Sequence, residues 1–380
     1  MTLSKLISLS ISVFFLLTSI VGLALVLQLQ LGVLGAPPYI ITISELLYWL
    51  ALLAAAPLWG KLGDRIGKLK VLLLTSLCSS LLLFLFTFAS TIPWLLLLRG
   101  LHSLVVAGFH PTASAWVSEL STQETRARRI AVYNQGFSFG IAAGSFLGGW
   151  LLDKFGYSHA YSILAMFSLI CTALSYTVRS TEGHTSIPSH HIQRTPFTSR
   201  LLILYLSTLL RKSAIIGILS LAYVYMRKYF GYSPTLIGWL AALNPFTQIA
   251  LMLTAGLFAD KVGRKMALIL GFVTSCLVPI TFVYATTRWE FALGFIFIGI
   301  SFAFYISGAL AFIGDVTPTG KAGEYMGYFQ SAQGIGGILG PFVAGILAYN
   351  YSYTTFFWGM EVFAVVALML SLLLPGKPTK

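Results

Sequence analysis

Long apolar runs, separated by short clusters of charged, glycine or proline residues, dominate this chain. A membrane-spanning helix needs about 20 mostly apolar residues, and the pattern supplies twelve such runs. They lie at residues 7–34, 41–60, 70–90, 93–118, 130–152, 158–178, 201–226, 234–258, 266–286, 290–314, 325–348 and 353–374. The pattern therefore predicts an all-α membrane protein with twelve transmembrane helices.

The composition supports this interpretation. Of the 380 residues, 57% are hydrophobic and only 9% are charged, whereas a soluble domain has about 25% charged residues. A soluble enzyme, a disordered chain and a secreted disulfide scaffold are thereby excluded. The three cysteines lie within apolar runs and are expected to be small buried side chains.

Lysine and arginine residues are distributed unevenly between the two sides of the predicted bundle. Most of the 24 lie in loops on the side of the N-terminus, whereas Lys154, Arg227, Lys228 and Arg288 lie on the other side. Because basic loops stay in the cytoplasm, both termini are expected on the cytoplasmic face of the inner membrane. The net charge of +13 is then explained without nucleic acid as a partner.

One long polar segment, residues 180–200, interrupts the apolar pattern. It is predicted to be a cytoplasmic linker between two six-helix bundles at residues 1–179 and 201–380. The sequence has no ATP-binding loop, nucleophile triad or metal-ligand cluster. We therefore expect no enzyme activity, no cofactor and no bound metal.

The chain repeats itself at a constant offset of 196 residues, which indicates duplication. Residues 60–68 align with residues 256–264, and Glu119 aligns with Asp315. At the same offset, Gly140 and Gly144 align with glycines 336 and 340. Two repeats related by an axis along the membrane normal are an arrangement found in transporters.

Residues 60–70, between the second and third predicted helices, read Gly-Lys-Leu-Gly-Asp-Arg-Ile-Gly-Lys-Leu-Lys. This segment resembles the loop motif G-x-L-x-D-R-x-G-R/K-x-K/R of the major facilitator superfamily, with every specified position filled. The resemblance covers essentially the whole chain. It implies a monomeric transporter that carries a small molecule by alternating access, usually coupled to a proton, within membrane lipid.

Charged residues near the cytoplasmic helix ends are predicted to form a gate. Asp64 lies just before a helix N-terminus, which favours negative charge, and its basic neighbours can pair with acids on adjacent helices. The spacing from Glu119 to Arg126 resembles the family's partner for this loop, and the resemblance implies a charge lock that closes the cytoplasmic side. The predicted gate residues are Gly60, Asp64, Arg65, Gly67, Lys68, Glu119, Arg126, Asp260, Lys261, Gly263, Arg264 and Asp315.

Glycines at four-residue spacing mark the fifth and eleventh helices. Small residues at this spacing let helix backbones approach closely, so Gly140, Gly144, Gly340 and Pro341 are predicted packing positions. The pair Gly340-Pro341 also resembles the antiporter motif of the drug-efflux branches. That motif normally lies on the fifth helix, where this chain has Gly144-Ser145.

Ionisable residues inside membrane helices are costly and are by default functional candidates. On the fourth helix, Arg99, His102 and His110 are predicted to share one face. Residues 95–103 partly resemble a family motif whose arginine is associated with proton coupling, and histidine titrates near neutral pH. The alternative for these residues is hydrogen bonding and packing between helices.

Two adjacent bases, Arg211 and Lys212, lie about 15 Å into the seventh run at 1.5 Å per residue. They are expected to point in different directions and to contact an anionic group or an acid. Glu45 or Glu361 could carry a coupling proton. Because Glu361 lies on a helix that is peripheral in the family, it is rather expected to be an interfacial residue or to pair with a group on a neighbouring helix. The further polar or aromatic cavity candidates are Asn244, Gln248, Gln330, Gln333 and Tyr305.

Two transport functions remain open from the sequence. The leading hypothesis is a proton-coupled exporter of small amphiphilic compounds, similar to the twelve-helix drug/proton antiporter branch. The alternative is a proton-coupled carrier of an anionic or sugar-like metabolite, which the three intramembrane bases Arg99, Arg211 and Lys212 favour. A membrane receptor or scaffold without transport is a third class, which the intact loop motif disfavours.

Overall fold

The computed structural model describes residues 3–122, 125–178, 199–317 and 322–374, and within these ranges the chain forms helices and turns without strands. The helices are α1 (Leu3–Val33), α2 (Pro38–Ile66), α3 (Lys68–Phe86), α4 (Ile92–Val106), α5 (Phe109–Glu119), α6 (Arg126–Tyr176), α7 (Ser199–Phe230), α8 (Pro234–Lys261), α9 (Arg264–Tyr284), α10 (Arg288–Val316), α11 (Ala322–Asn350) and α12 (Tyr353–Leu372).

These helices correspond to the twelve predicted spans. Eleven stretches of the described chain are long and apolar enough to cross a membrane, and the stretch Arg128–Tyr176 is long enough for two crossings. Within it, Gly156 has φ 73° and ψ 178°, which breaks α6 into two helices. Helices α4 and α5 together form the fourth span. The prediction of a twelve-helix membrane fold is confirmed.

The described residues divide into two compact units. Unit 1 consists of the described residues within Met1–Leu27 and Ala51–Pro196. Unit 2 consists of the described residues within Gln28–Leu50 and Phe197–Lys380. The last turns of α1 and the first half of α2 therefore pack with α7–α12. Residues 180–198 of the predicted linker lie outside the described residues.

Local sequence signals explain several helix boundaries. The Ser233 hydroxyl accepts a hydrogen bond from the Leu236 amide at 3.2 Å and caps α8, and Thr287 with Glu290 forms a capping box at α10. Gly67 and Gly263, aligned by the 196-residue repeat, precede α3 and α9 with φ of 97° and 121°. Only glycine adopts this conformation readily, so the repeated loop motif places the same turn in both units.

In unit 1, the first part of α6 packs directly on the backbone of α1. A Cβ placed on Gly144 would lie 2.7 Å from the Thr18 carbonyl oxygen, and one on Gly140 would lie 2.6 Å from that of Phe14. Such approaches are closer than a side chain permits. Glycine is therefore required for this helix contact.

In unit 2, α11 packs on α7 in the same way. A Cβ on Gly340 would clash with the Ser213 carbonyl oxygen, and one on Gly336 with that of Leu209. An apolar core of buried side chains, including Phe272, joins α7, α9, α10, α11 and α12. The repeated glycines thus join the fifth span to the first and the eleventh to the seventh.

We predict that Gly144→Ala lowers the thermal stability of the detergent-purified protein by several degrees, because α1 or α6 must shift to admit the methyl group. The matched control is Gly327→Ala on α11, where the added Cβ meets nothing within 4 Å. That change should be neutral or stabilising, since alanine is favoured over glycine in helices by roughly 0.5–1 kcal/mol. Equal melting temperatures for the two variants would contradict the close contact.

Candidate functional site

A chain of buried hydrogen bonds crosses unit 1 at the level of His102. The His102 Nε2 atom lies 3.0 Å from Ser79 Oγ, which lies 3.1 Å from Ser168 Oγ, which in turn lies 2.8 Å from Ser19 Oγ. These residues connect α4, α3, α6 and α1. Both Arg99 and His102 are almost completely buried, at 1% and 0% exposed. The arrangement ties four helices together through hydroxyl groups.

His110 does not share this environment. Its Nδ1 atom lies 3.1 Å from the Tyr133 hydroxyl, and its ring packs against Phe137 at 4.4 Å between centroids. The helix breaks between α4 and α5, where the Trp59 indole donates a hydrogen bond to the Leu104 carbonyl at 2.8 Å. In a continuous α-helix, that carbonyl would accept a hydrogen bond from the Gly108 amide. The two histidines of the predicted face therefore contact different helices, His102 contacting α3 and His110 contacting α6.

In unit 2, Arg211 is buried among hydroxyl and aromatic groups. Its guanidinium donates to Ser275 at 2.9 Å and to Ser301 at 2.7 Å, and both hydroxyls donate to the Gly271 carbonyl at 2.8 Å. The guanidinium carbon lies 4.2 Å from the Tyr305 ring centroid, a cation–π contact. At 3% exposure, Arg211 joins α7 to α9 and α10 and offers little surface to a ligand.

Lys212 points in a different direction from Arg211, as the geometry of adjacent helical residues requires. Its Nζ atom lies 4.4 Å from the Trp49 ring centroid, on α2. Glu45, one turn earlier on α2, interacts electrostatically with both Lys212 and Tyr223. Gln28 donates a hydrogen bond to Glu45 Oε1 at 3.4 Å.

We refer to Gln28, Glu45, Trp49, Lys212 and Tyr223 as the Glu45–Lys212 cluster. It combines a carboxyl group, an ammonium group and aromatic surface inside the membrane-spanning part of unit 2. Two of its buried polar atoms, Gln28 Oε1 and Trp49 Nε1, have no hydrogen-bond partner among the described residues. Buried polar atoms are normally satisfied, so the cluster retains hydrogen-bonding capacity for a ligand.

The remaining cavity candidates are dispersed over unit 2. Gln248 donates to Asn244 at 2.7 Å, and Gln333 donates to Gln330 at 3.4 Å. Tyr305 is 1% exposed and donates from its hydroxyl to Thr208 at 3.0 Å. Its ring packs in the apolar core and is not open to a substrate in this structure.

At the helix ends, two ion pairs occupy repeat-related positions. Lys68, at the start of α3, pairs with Glu119, and Arg264, at the start of α9, pairs with Asp315. Lys68 also lies 3.8 Å from Asp64, whose side chain is 72% exposed. The structure thus brings together one basic and one acidic gate candidate in each unit.

The other gate candidates have less contact with their surroundings. Arg65, Asp260 and Lys261 are exposed at the ends of α2 and α8. The side chain of Arg126 lies outside the described residues, so its predicted role as a partner of the loop at residues 60–70 stays a prediction.

Sequence reasoning missed several residues that the structure places at these sites. Ser79 and Ser275 are aligned by the 196-residue repeat and hydrogen-bond His102 and Arg211 respectively. The repeat could have identified them. The sequence pattern did not single out Trp49 and Gln28. Their contacts depend on how the end of α1 and the first half of α2 pack with the other helices of unit 2.

The twelve-helix architecture, the duplicated glycine contacts and the ionisable groups within membrane helices define a multi-pass membrane transporter. The family model described as Major Facilitator Superfamily matches residues 7–226 and 201–380. The chain belongs to this superfamily.

Curated relatives and solved structures agree with that assignment. Multidrug resistance protein MdtG of Proteus mirabilis is 28% identical over 317 residues, covering 80% of this chain and 78% of the relative. Its counterpart in Salmonella schwarzengrund is 25% identical over 312 residues, covering 80% and 77%. A mutant form of the nucleoside transporter NupG has a TM-score of 0.81 at 16% identity over 97% of this chain and 99% of that one. The POT family transporter PepTSo has a TM-score of 0.80 at 14% identity over 98% of both chains.

We predict that Arg211→Gln destabilises the protein more than Lys212→Gln. Substitution of Arg211 removes buried hydrogen bonds that are worth about 1.5–3 kcal/mol each when a charged group is involved. Lys212 is only half-buried, so its substitution should cost less. Thermal unfolding of the two purified variants in the same detergent measures the difference. A Lys212 variant that melts at or below the temperature of the Arg211 variant would contradict the structural role of Arg211.

Proposed function

We propose that this transporter exports small amphiphilic compounds in exchange for protons, by alternating access, from a bacterial inner membrane with both chain termini in the cytoplasm. The Glu45–Lys212 cluster is the observation that carries the proposal. Similarity to proteins named multidrug resistance proteins over four-fifths of the chain supports the substrate class.

The chemistry of the cluster suits a lipophilic cation. Glu45 supplies a negative charge, and the Trp49 ring supplies an aromatic face that attracts cations. In the structure, Lys212 interacts with both groups. An amphiphilic cation that binds Glu45 and Trp49 displaces the Lys212 ammonium from them, and the apolar part of the cation gains from burial.

Competition for one carboxylate gives a mechanism for exchange. A proton that binds Glu45 removes the charge that holds the cationic substrate, so the substrate leaves. Loss of that proton on the other side of the membrane restores the carboxylate for the next substrate. Alternating access keeps the two events on opposite sides, and the proton gradient then drives export.

The alternative function is a proton-coupled carrier of an anionic or sugar-like metabolite. Three intramembrane bases favoured it from the sequence. In the structure, however, Arg211 gives its hydrogen bonds to Ser275 and Ser301, and Lys212 has Glu45 nearby. Lys212 is half-buried and remains the base with surface for an anion.

We predict that Glu45→Gln abolishes proton-driven export of a fluorescent lipophilic cation. Purified protein in liposomes with an imposed pH gradient provides the assay. Glu324→Gln is the matched control, because Glu324 lies near the start of α11 and bonds Tyr328 instead of the cluster. Export by Glu45→Gln at the wild-type rate would contradict the proposal, whereas transport of organic anions that requires Lys212 would support the alternative.

We further propose that the exposed gate residues close the cytoplasmic side during the cycle. Asp64→Asn removes one charge from a side chain that contributes little to packing, so folding should be retained while export falls at least tenfold. Asp153→Asn, at an exposed position of α6, is the control and should transport normally. Flux measurements in the same liposomes test this, and near-normal export by Asp64→Asn would remove the gate hypothesis.

A further inference from the structure

Glu361 is an acidic residue near the middle of a membrane helix that the proposed exchange at Glu45 does not use. It lies in α12, roughly 12 Å from the start of that 20-residue helix at 1.5 Å per residue. Its side chain is buried, at 9% exposure. Cys276 of α9, which interacts electrostatically with Glu361, forms a small apolar cluster with Ala214 of α7 and Ala364 of α12.

The carboxyl group of Glu361 has no polar partner among the described residues. Its Oε2 atom is buried and makes no hydrogen bond, and no lysine, arginine or histidine lies within ion-pair distance in the described ranges. Other acids differ: Glu119 and Asp315 form ion pairs, and Glu290 caps α10.

The titratable groups described on the helices that pack against α12 supply no positive charge to the Glu361 carboxyl group. Cys276 on α9 is the group that interacts electrostatically with Glu361, and a thiol supplies no positive charge. On α7, Arg211 is directed to Ser275 and Ser301, and Lys212 is directed to Trp49. On α11, Glu324 lies in the first turn, bonded to Tyr328.

An ionised carboxylate without a partner is strongly disfavoured in such surroundings, so the neutral acid is the stable form. A carboxyl group that makes no hydrogen bond also adds little to stability. Ionisable residues within the membrane are retained chiefly for transport or proton transfer.

We infer that Glu361 binds a proton in this conformation and is a second proton-binding site of the transport cycle, separate from the Glu45–Lys212 cluster. The inference rests on the proposed proton coupling. Glu361 holds its proton while α7, α9 and α12 enclose it, and releases the proton when their movement admits water.

Infrared spectroscopy of the protein in a detergent without ester groups tests the protonation directly. The carbonyl stretch of a protonated carboxylic acid lies above the carboxylate and amide bands. Wild type at neutral pH should show it, Glu361→Gln should lose it, and Glu324→Gln should keep it. Glu361→Met is a second variant of similar length, so that the assignment does not depend on one substitution. Absence of the band in wild type, or its persistence in both Glu361 variants, would overturn the inference.

The ratio of protons to exported cations in liposomes tests the role in transport. Glu361→Gln should still bind the cation but move fewer protons per cation than wild type. An unchanged ratio would show that Glu361 holds a proton without taking part in coupling, and would overturn that part of the inference. If wild type itself exports no cation, the proposed function fails, while the infrared measurement still decides whether Glu361 is protonated.

Discussion

The lack of water inside a membrane is the constraint on which the rest of this structure depends. Each polar group within a span must find a partner in the protein or remain neutral. Unit 1 meets this requirement with serine hydroxyls around His102, and unit 2 meets it with two serines around Arg211. The glycine contacts between helices have the same origin, because apolar side chains gain nothing by leaving lipid and close backbone packing must supply the attraction.

Duplication explains why the two units solve this problem at equivalent positions with different chemistry. Ser79 and Ser275 occupy aligned positions, yet one contacts a histidine on α4 and the other an arginine on α7. The ion pairs at the helix ends have kept both their positions and their charges. Interior polar groups have therefore diverged between the repeats, whereas the glycine turns before α3 and α9 and the signs of the charges in the two ion pairs have not. This difference is expected if the helix ends serve a gate common to both halves and the interiors serve a substrate.

Much of the fold could be predicted from the sequence, because apolar run length and glycine turns are local properties. The twelve spans and the turns at Gly67 and Gly263 belong to this class. The site could be predicted only in part. At the break before His110, the Leu104 carbonyl accepts a hydrogen bond from Trp59, which lies 45 residues earlier in the chain. The direction of Arg211 and the partner of Lys212 likewise depend on packing between distant helices, which a residue pattern does not contain.

In the proposed exchange, a proton and a cationic substrate compete for one carboxylate in the Glu45–Lys212 cluster. Calorimetric binding of tetraphenylphosphonium to the purified protein, in buffers of different ionisation enthalpy, measures the protons released on binding. In mildly acidic buffer, competition predicts that a proton is released for each cation bound and that the cation binds more weakly as the pH falls. Binding that releases no proton and is equally tight across this pH range would contradict it.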